Sequence, residues 1–293
     1  MTKLRSQEYS LVLICDFVGV SRQAYHKQLQ KQSFETKLYL QVEKLVFKNR
    51  KVRSRVGLRT IYYKEKLSSL LGLNQFEQQM SDFGHALKPY RSYLKTTDSR
   101  GFYYKFDNLI SGIEVCRANQ VIVGDITYYQ SPSGLYYIFH FQDYYTLEIK
   151  GLIGSKTMEG INAERCLRQV FDYNKQSSYN HQLIVHTDRG SQYRSHKFQS
   201  MLRRAKIRPS HAMNCFENGL SERANGIIKN EYLNDYDIRS ISHLNRVLKE
   251  IKHQMNEVWP SKSLGYKTPK EYARWVLEQN SKHRPKKLVK EVH

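Results

Sequence analysis

The sequence predicts an α/β protein, a mixed sheet core flanked by helices and preceded by an all-helical region. Two changes of pattern carry this reading. Before residue 89 the apolar residues recur at three- and four-residue spacing, the period of a helix. After residue 117 they gather into short β-branched and aromatic runs parted by turn formers, with amphipathic helical stretches between the later ones. The organisation that follows is a helical region over 1–88, a linker over 89–117, an α/β core over 118–235, a C-terminal helical part over 236–279 and a basic, disordered tail over 280–293.

In the first region Leu11, Ile14, Cys15 and Val18 mark one helix face, and Gly19 ends it. Ser21 is a good N-cap for a second helix, with Val20 and Tyr25 placed as a hydrophobic staple. Two short helices around a glycine turn read as a helix-turn-helix that presents Arg22, Gln23, His26 and Lys27 to DNA. Any helical hairpin shares the pattern; the surrounding charge favours DNA. A further helix is expected over Thr36–Phe47 on Leu38, Val42, Leu45 and Val46. The run "KNRKVRSR" follows, with Arg53 and Arg55 as candidate DNA contacts, and then another helical stretch, "VGLRTIYYKEKLSSL". The linker mixes turn formers with Tyr, Lys and Arg.

In the core "VIVGDITYY", "GLYYIFHFQDYY" and "LEIKGLIGS" are strand-like and close in sequence, which predicts an antiparallel meander. "MEGINAERCLRQVFDYN" is an amphipathic helix, "LIVHTD" a buried strand and "KFQSMLRRAKI" a helix. "PSHAMNCFENG" is irregular. A long helix over Leu220–Leu233 follows, with Asn218 as its cap.

Charge bounds the partners. Lys and Arg number 48 against 27 acids, a formal +21, and an excess of that size points to a polyanion. It is uneven: 21 bases and 10 acids precede residue 118, 14 and 11 lie in 118–235, and 13 and 6 follow. The flanks are basic, while the centre keeps its acids. Cys15, Cys116, Cys166 and Cys215 are too far apart for a zinc finger or a disulfide framework. No apolar run is long enough to span a membrane, so a cytoplasmic, nucleoid-associated protein is expected.

Three of the central acids stand out. Asp125 ends "VIVGD", Asp188 ends "LIVHTD", and Glu222 lies in the first turn of the long helix. An isolated Asp after a strand is usually a turn residue. Strand ends and a helix start can nevertheless bring such acids together, and clustered carboxylates repel unless cations stand between them. Oxygen ligands suit Mg²⁺, with Mn²⁺ as a substitute, and two ions about 4 Å apart can drive phosphoryl transfer. Lys229, seven residues past Glu222, falls on the same helix face, where it can hold a phosphate. Glu231 faces away and is expected to serve as a structural partner.

Taken in order, "NQVIVGDITYY", "HTDRGSQYRS", "ENGLSERANGIIKNEYL" and "SLGYKTPKEY" resemble the second-reading-frame product of the IS-three insertion-sequence transposases. The resemblance runs from "RVGLRTIYY" to Tyr272. It implies a ribonuclease-H-like integrase core, with Asp125, Asp188 and Glu222 as the catalytic DDE metal ligands and Lys229 as a DNA contact. It also implies DNA as partner (terminal inverted repeats and target), a homo-multimer on DNA and a first-frame protein of the element. The chain departs from the family at Ile122, Leu147, Glu217, Trp259 and Ser261.

The remaining residues are read more modestly. His186 points to the same side as Asp188 but is expected to pack or hydrogen-bond. Arg189 and Gln192 are candidate DNA contacts, and Gln192 can equally anchor its turn. Asp143 is a reserve carboxylate, and Arg203, Arg204, Lys206 and Arg208 track phosphates or simply face water. The expected function is metal-dependent DNA cleavage and strand transfer. A catalytically idle DNA-binding regulator or remnant is the alternative, and a ribonuclease H fits poorly with the basic flanks.

Overall fold

The computed structural model describes residues 10–88, 107–173, 183–212 and 215–290. Helix α1 (Leu11–Val18) begins where the Ser10 hydroxyl accepts the Leu13 N–H, and it ends at Gly19, whose φ of 71° suits glycine. Ser21 caps α2 through the Ala24 N–H, as expected. Helix α2 then runs unbroken over Arg22–Arg50. The two helices expected in this span are therefore one, because residues 28–36 hold neither Gly nor Pro to stop the first. Helices α3 (Leu58–Lys64) and α4 (Leu73–Asp82) complete the region.

The central sheet has five strands: β2 (Val121–Ser131), β3 (Gly134–Asp143), β4 (Ile149–Ser155), β5 (Ile184–Thr187) and β6 (Arg208–His211). Their order is β4-β3-β2-β5-β6. The first three form the expected antiparallel meander, while β5 runs parallel to β2 and β6 parallel to β5. Mixed pairing in this order, with helices on both faces, is the ribonuclease-H-like arrangement. Strand β6 lies in the stretch read as irregular; Pro209 and the polar Ser210 and His211 hide it from a pattern search.

Helices α5 (Gly160–Tyr173), α6 (Ser191–Arg194) and α7 (His196–Arg204) cover one face. Their core joins Cys166, Leu167, Val170, Phe198 and Leu202 to Ile122, Phe139 and Phe141. Helices α8 (Gly219–Gly226) and α9 (Ile241–His253) cover the other face. Strand β4 accepts helices on both sides through glycine: a methyl at Gly151 would strike the Cys166 carbonyl, and one at Gly154 would strike Leu244.

The long helix expected over 220–233 is α-helical only to Gly226, then winds as a π-helix over Ile227–Tyr232. Asn218 does not cap it through its side chain; its amide instead donates to the Gly124 carbonyl at 3.3 Å.

The N-terminal helices share a core with this second face, where Val42, Val46, Ile61, Phe76 and Met80 cluster with Ile228, Tyr232, Leu248 and Trp259. Arg53 locks the junction. Its guanidinium pairs with Glu231 at 2.7 Å and lies 5.7 Å from the Tyr232 ring centroid and 5.4 Å from that of Trp259. Glu231 is thus the structural partner expected, whereas Arg53, expected on DNA, is turned inward.

Most of the linker, 89–106, lies outside the described residues. From Asp107 onward the chain belongs to the core, with Ile110 and Val115 buried. The tail departs from expectation: Lys287–Leu288 (β7) pairs with Glu114–Val115 (β1), Val289 is buried, and the Lys287 ammonium sits 5.2 Å from the ring centroid of Tyr272. That ring lies on α10 (Pro269–Glu278), which starts with a capping box between Thr268 and Glu271. No described helix is long and apolar enough to cross a membrane.

Candidate active site

The sheet registers bring two of the three acids together. Gly124 of β2 lies opposite Thr187 of β5 in a parallel pair, so Asp125 and Asp188 stand at the same level on neighbouring strands; Asp188 follows the end of β5, whereas β2 runs on past Asp125 to Ser131 rather than ending there as expected. Asp125 also lies opposite His140 of β3, and Val123 opposite His186 of β5. Asp125, His140, His186 and Asp188 therefore share the face covered by α8. Gly124 points to the other face, where an added methyl would overlap the Phe141 ring.

Helix α8 supplies the third side. The Asn225 amide donates to Asp125 Oδ2 at 2.8 Å. Glu222 precedes Asn225 by three residues and so projects from the same side of α8 one turn earlier, but its side chain is exposed. Among the described residues no hydrogen bond or ion pair ties down its carboxylate. Among them, too, no three His, Cys, Asp or Glu side chains stand together as a ready metal-binding group. The structure thus joins Asp125 to Asp188 and leaves Glu222 at the rim.

Electrostatics mark the pair as short of positive charge. Burial raises the Asp125 carboxyl to about 7, with the charges of Asp188 and Glu222 adding to it against the Asn225 hydrogen bond. Asp188 is also raised by burial, opposed by the Gly190 N–H that its Oδ1 accepts at 3.0 Å. Two half-buried carboxylates of raised pKa, with oxygen donors only, are what a hard divalent cation would relieve; the residues present fit such an ion.

The neighbours sort themselves by contact. His186 is buried with Nδ1 2.8 Å from the Ser210 hydroxyl, a packing role as expected. Gln192 is buried and folded against Gly190 and Ser191, so it anchors the turn. Arg189 donates to the Ala212 carbonyl at 3.1 Å. Asp143 ends β3 three positions beyond His140, opposite Ile122, and is buried, accepting from Asn119, Tyr145 and Thr146; it closes a turn and is no reserve ligand. The π-helical turn shifts Lys229 from the face that a continuous α-helix would give it, and its ammonium rests 4.8 Å from the ring centroid of Tyr128 on β2. Arg22, Gln23, His26 and Lys27 are exposed along one stretch of α2, where with Gln30 they line a concavity, and Arg55 donates to the Lys88 carbonyl at 2.6 Å.

Two polar residues of the site escaped the sequence reading. His140 is fully buried, and burial lowers its pKa to about 4 against a weaker, opposing contact with the Asn225 side chain. Asn225 is buried beside it. The signal for Asn225 was its i+3 spacing from Glu222. For His140 it was a histidine in an otherwise apolar run, "YYIFHF".

Residues 116–213 match the family described as Integrase core domain, and residues 203–269 match a second family of the same description. The chain is 27% identical over 254 residues to the transposase for insertion sequence element IS904 of Lactococcus lactis, covering 85% of this chain and 99% of that one. It is 26% identical over 244 residues to an uncharacterized 31 kDa protein of insertion element IS600 from Shigella sonnei, covering 81% and 88%. The HTLV-2 integrase catalytic core domain, solved in complex with magnesium, aligns over 57% of this chain and 99% of its own at 20% identity and a TM-score of 0.42. The two integrase-core matches, at residues 116–213 and 203–269, place an integrase core domain in this chain, which is similar along most of its length to insertion-sequence proteins.

Proposed function

We propose that the protein cleaves and joins DNA strands at a divalent-metal site held by Asp125, Asp188 and Glu222, two Mg²⁺ ions being the expected complement. The observation that carries this reading is the pair of buried carboxylates on neighbouring strands, Asp125 within β2 and Asp188 just past the end of β5, beneath a helix that bears the third acid. Divalent cations bound there would neutralise the carboxylates and polarise the scissile phosphate. Asp125 and Asp188 hold their positions through the sheet, and Asn225 fixes the Oδ2 of Asp125. Glu222, long and exposed, reaches the pair by side-chain rotation alone. Lys229 leaves its stacking on Tyr128 to contact a phosphate flanking the reacting one, and α2 grips duplex through Arg22, Gln23, His26 and Lys27.

In this reading, hydrolysis of the phosphodiester at an element end frees a 3′ hydroxyl. That hydroxyl then attacks a target phosphodiester, forming the new P–O bond as the target 3′ oxygen leaves. Two element ends must be handled together, so a homo-multimer on DNA is expected, with the first-frame protein of the element as a further partner in the cytoplasm.

The alternative, an idle DNA-binding remnant, draws support from the exposed position of Glu222. Strand transfer on duplexes carrying the repeats that flank the gene separates the two readings. Wild type with Mg²⁺ should join ends, while Asp188→Asn should bind the same duplex and join none. Absence of joining by wild type, alone or with the first-frame product, would favour the remnant; undiminished joining by the variant would remove Asp188 from the reaction.

A further inference from the structure

Beside Asp125 lie two buried polar side chains that packing does not explain. His140 is fully buried on β3, where neither ring nitrogen makes a well-formed hydrogen bond and Asn225 is the polar side chain that it faces. Asn225 is buried on α8, its amide nitrogen spent on Asp125 and its Oδ1 unpartnered. An unsatisfied buried donor or acceptor is destabilising, and the flanking strand positions Phe139 and Phe141 are apolar. A histidine here is therefore more expensive than the valine or leucine that the strand would accept.

Its placement gives the reason. His140 is the cross-strand partner of Asp125, which puts their β-carbons about 5 Å apart on one face, and the side chain beside its ring is that of Asn225. A neutral imidazole carries one N–H, and Asn225 Oδ1 is an acceptor without a donor. We propose that His140 is a positioning residue for Asp125: its N–H donates to Asn225 Oδ1, which fixes the amide so that Nδ2, and never Oδ1, faces the Asp125 carboxylate.

The physical content is orientation. An asparagine amide can turn over, and the reversed amide sets an oxygen against a carboxylate oxygen. A donor fixed on Oδ1 forbids that reversal and leaves the second Asp125 oxygen aimed at the cation. Outer partners of this kind commonly change metal affinity by about 10- to 100-fold. His140 touches neither cation nor DNA in this scheme; it acts only through Asn225. The inference rests on the reading of Asp125 as a metal ligand.

The test uses the full-length protein and Mn²⁺ alone, followed by calorimetric titration, beside strand transfer at saturating Mn²⁺ and thermal unfolding without metal. His140→Val should weaken Mn²⁺ binding about tenfold while still unfolding cooperatively in the absence of metal. His140→Gln, which keeps an N–H donor, should recover most of the affinity. Asn225→Ala should lose as much as His140→Val, and the double variant should lose no more than either, because both break one relay. Strand transfer should show a lower kcat with an unchanged KM for DNA. Wild-type Mn²⁺ affinity in His140→Val, failure of Gln to rescue, or losses that multiply in the double variant would each overturn the relay. Asp125→Asn separates the two levels: if it abolishes Mn²⁺ binding while His140→Val leaves it intact, only the relay fails. If it leaves Mn²⁺ binding unchanged, the metal site itself fails and the relay with it.

Discussion

Removing the Asp125 charge should make the metal-free protein more stable. Its carboxyl is raised from 3.8 to about 7 by burial, Asp188 and Glu222. A group whose folded pKa exceeds its unfolded value contributes stability that is complete below the unfolded value and lost as pH rises through the folded one. The window here runs from about pH 4 to about pH 7. At 1.36 kcal/mol per pH unit the full span corresponds to roughly 4 kcal/mol. The carboxyl is only partly shielded from water and its charge is coupled to that of Asp188, so about 1–2 kcal/mol is the realistic effect. Asp125→Asn keeps the shape and an oxygen for Asn225, but not the charge. In EDTA at pH 8 it should unfold about 2–6 °C above wild type, and near pH 4 the difference should vanish. Mg²⁺ should reverse the order at pH 8 by stabilising wild type alone. A variant no more stable than wild type at pH 8, or equally stabilised at both pH values, would refute the idea that uncompensated carboxylates meet here.

The other predictions concern the frame around the site. Arg53→Ala should cost about 2–4 kcal/mol in urea unfolding, because it strands Glu231 and uncovers Tyr232 and Trp259; an unchanged midpoint would mean that the junction is held by apolar packing alone. Gly124→Ala should destabilise by about 1–3 kcal/mol through overlap with Phe141, and a neutral effect would show that the ring yields freely. Deleting residues 285–293 should lower the melting temperature by a few degrees as β7 and Val289 leave their places, whereas a tail that only contacts phosphates would change DNA affinity and leave melting unaltered.

What the sequence reading caught and missed follows from the range of the interactions. Asp125 and Asp188 were visible because each closes a short β-branched run, and the strand period of two puts His186 on the same side as Asp188 without further information. The N-caps at Ser10, Ser21 and Ser240 are local devices, and Ser21 was read directly. The Arg53–Glu231 pair joins residues 178 apart; a basic run gives no sign of which member turns inward. Strand β6 is short and polar, held by its pairing to β5 rather than by its own pattern. The tail looks disordered because it is rich in Lys, yet Lys287 lays its stem over Tyr145 and Tyr272. The π-helical turn leaves no periodic trace, so the sequence predicts one unbroken α-helix over Leu220–Leu233 where the winding changes at Ile227.

The central claim is that Asp125, Asp188 and Glu222 converge on divalent cations. Anomalous diffraction from crystals of the full-length protein soaked in Mn²⁺ tests it most directly. The account predicts density bridging Asp125 and Asp188 at about 2.1 Å from their oxygens, with the Glu222 carboxylate rotated from the rim to join it. Mn²⁺ bound elsewhere, or bound between the two aspartates with Glu222 still facing solvent in the presence of DNA, would contradict it.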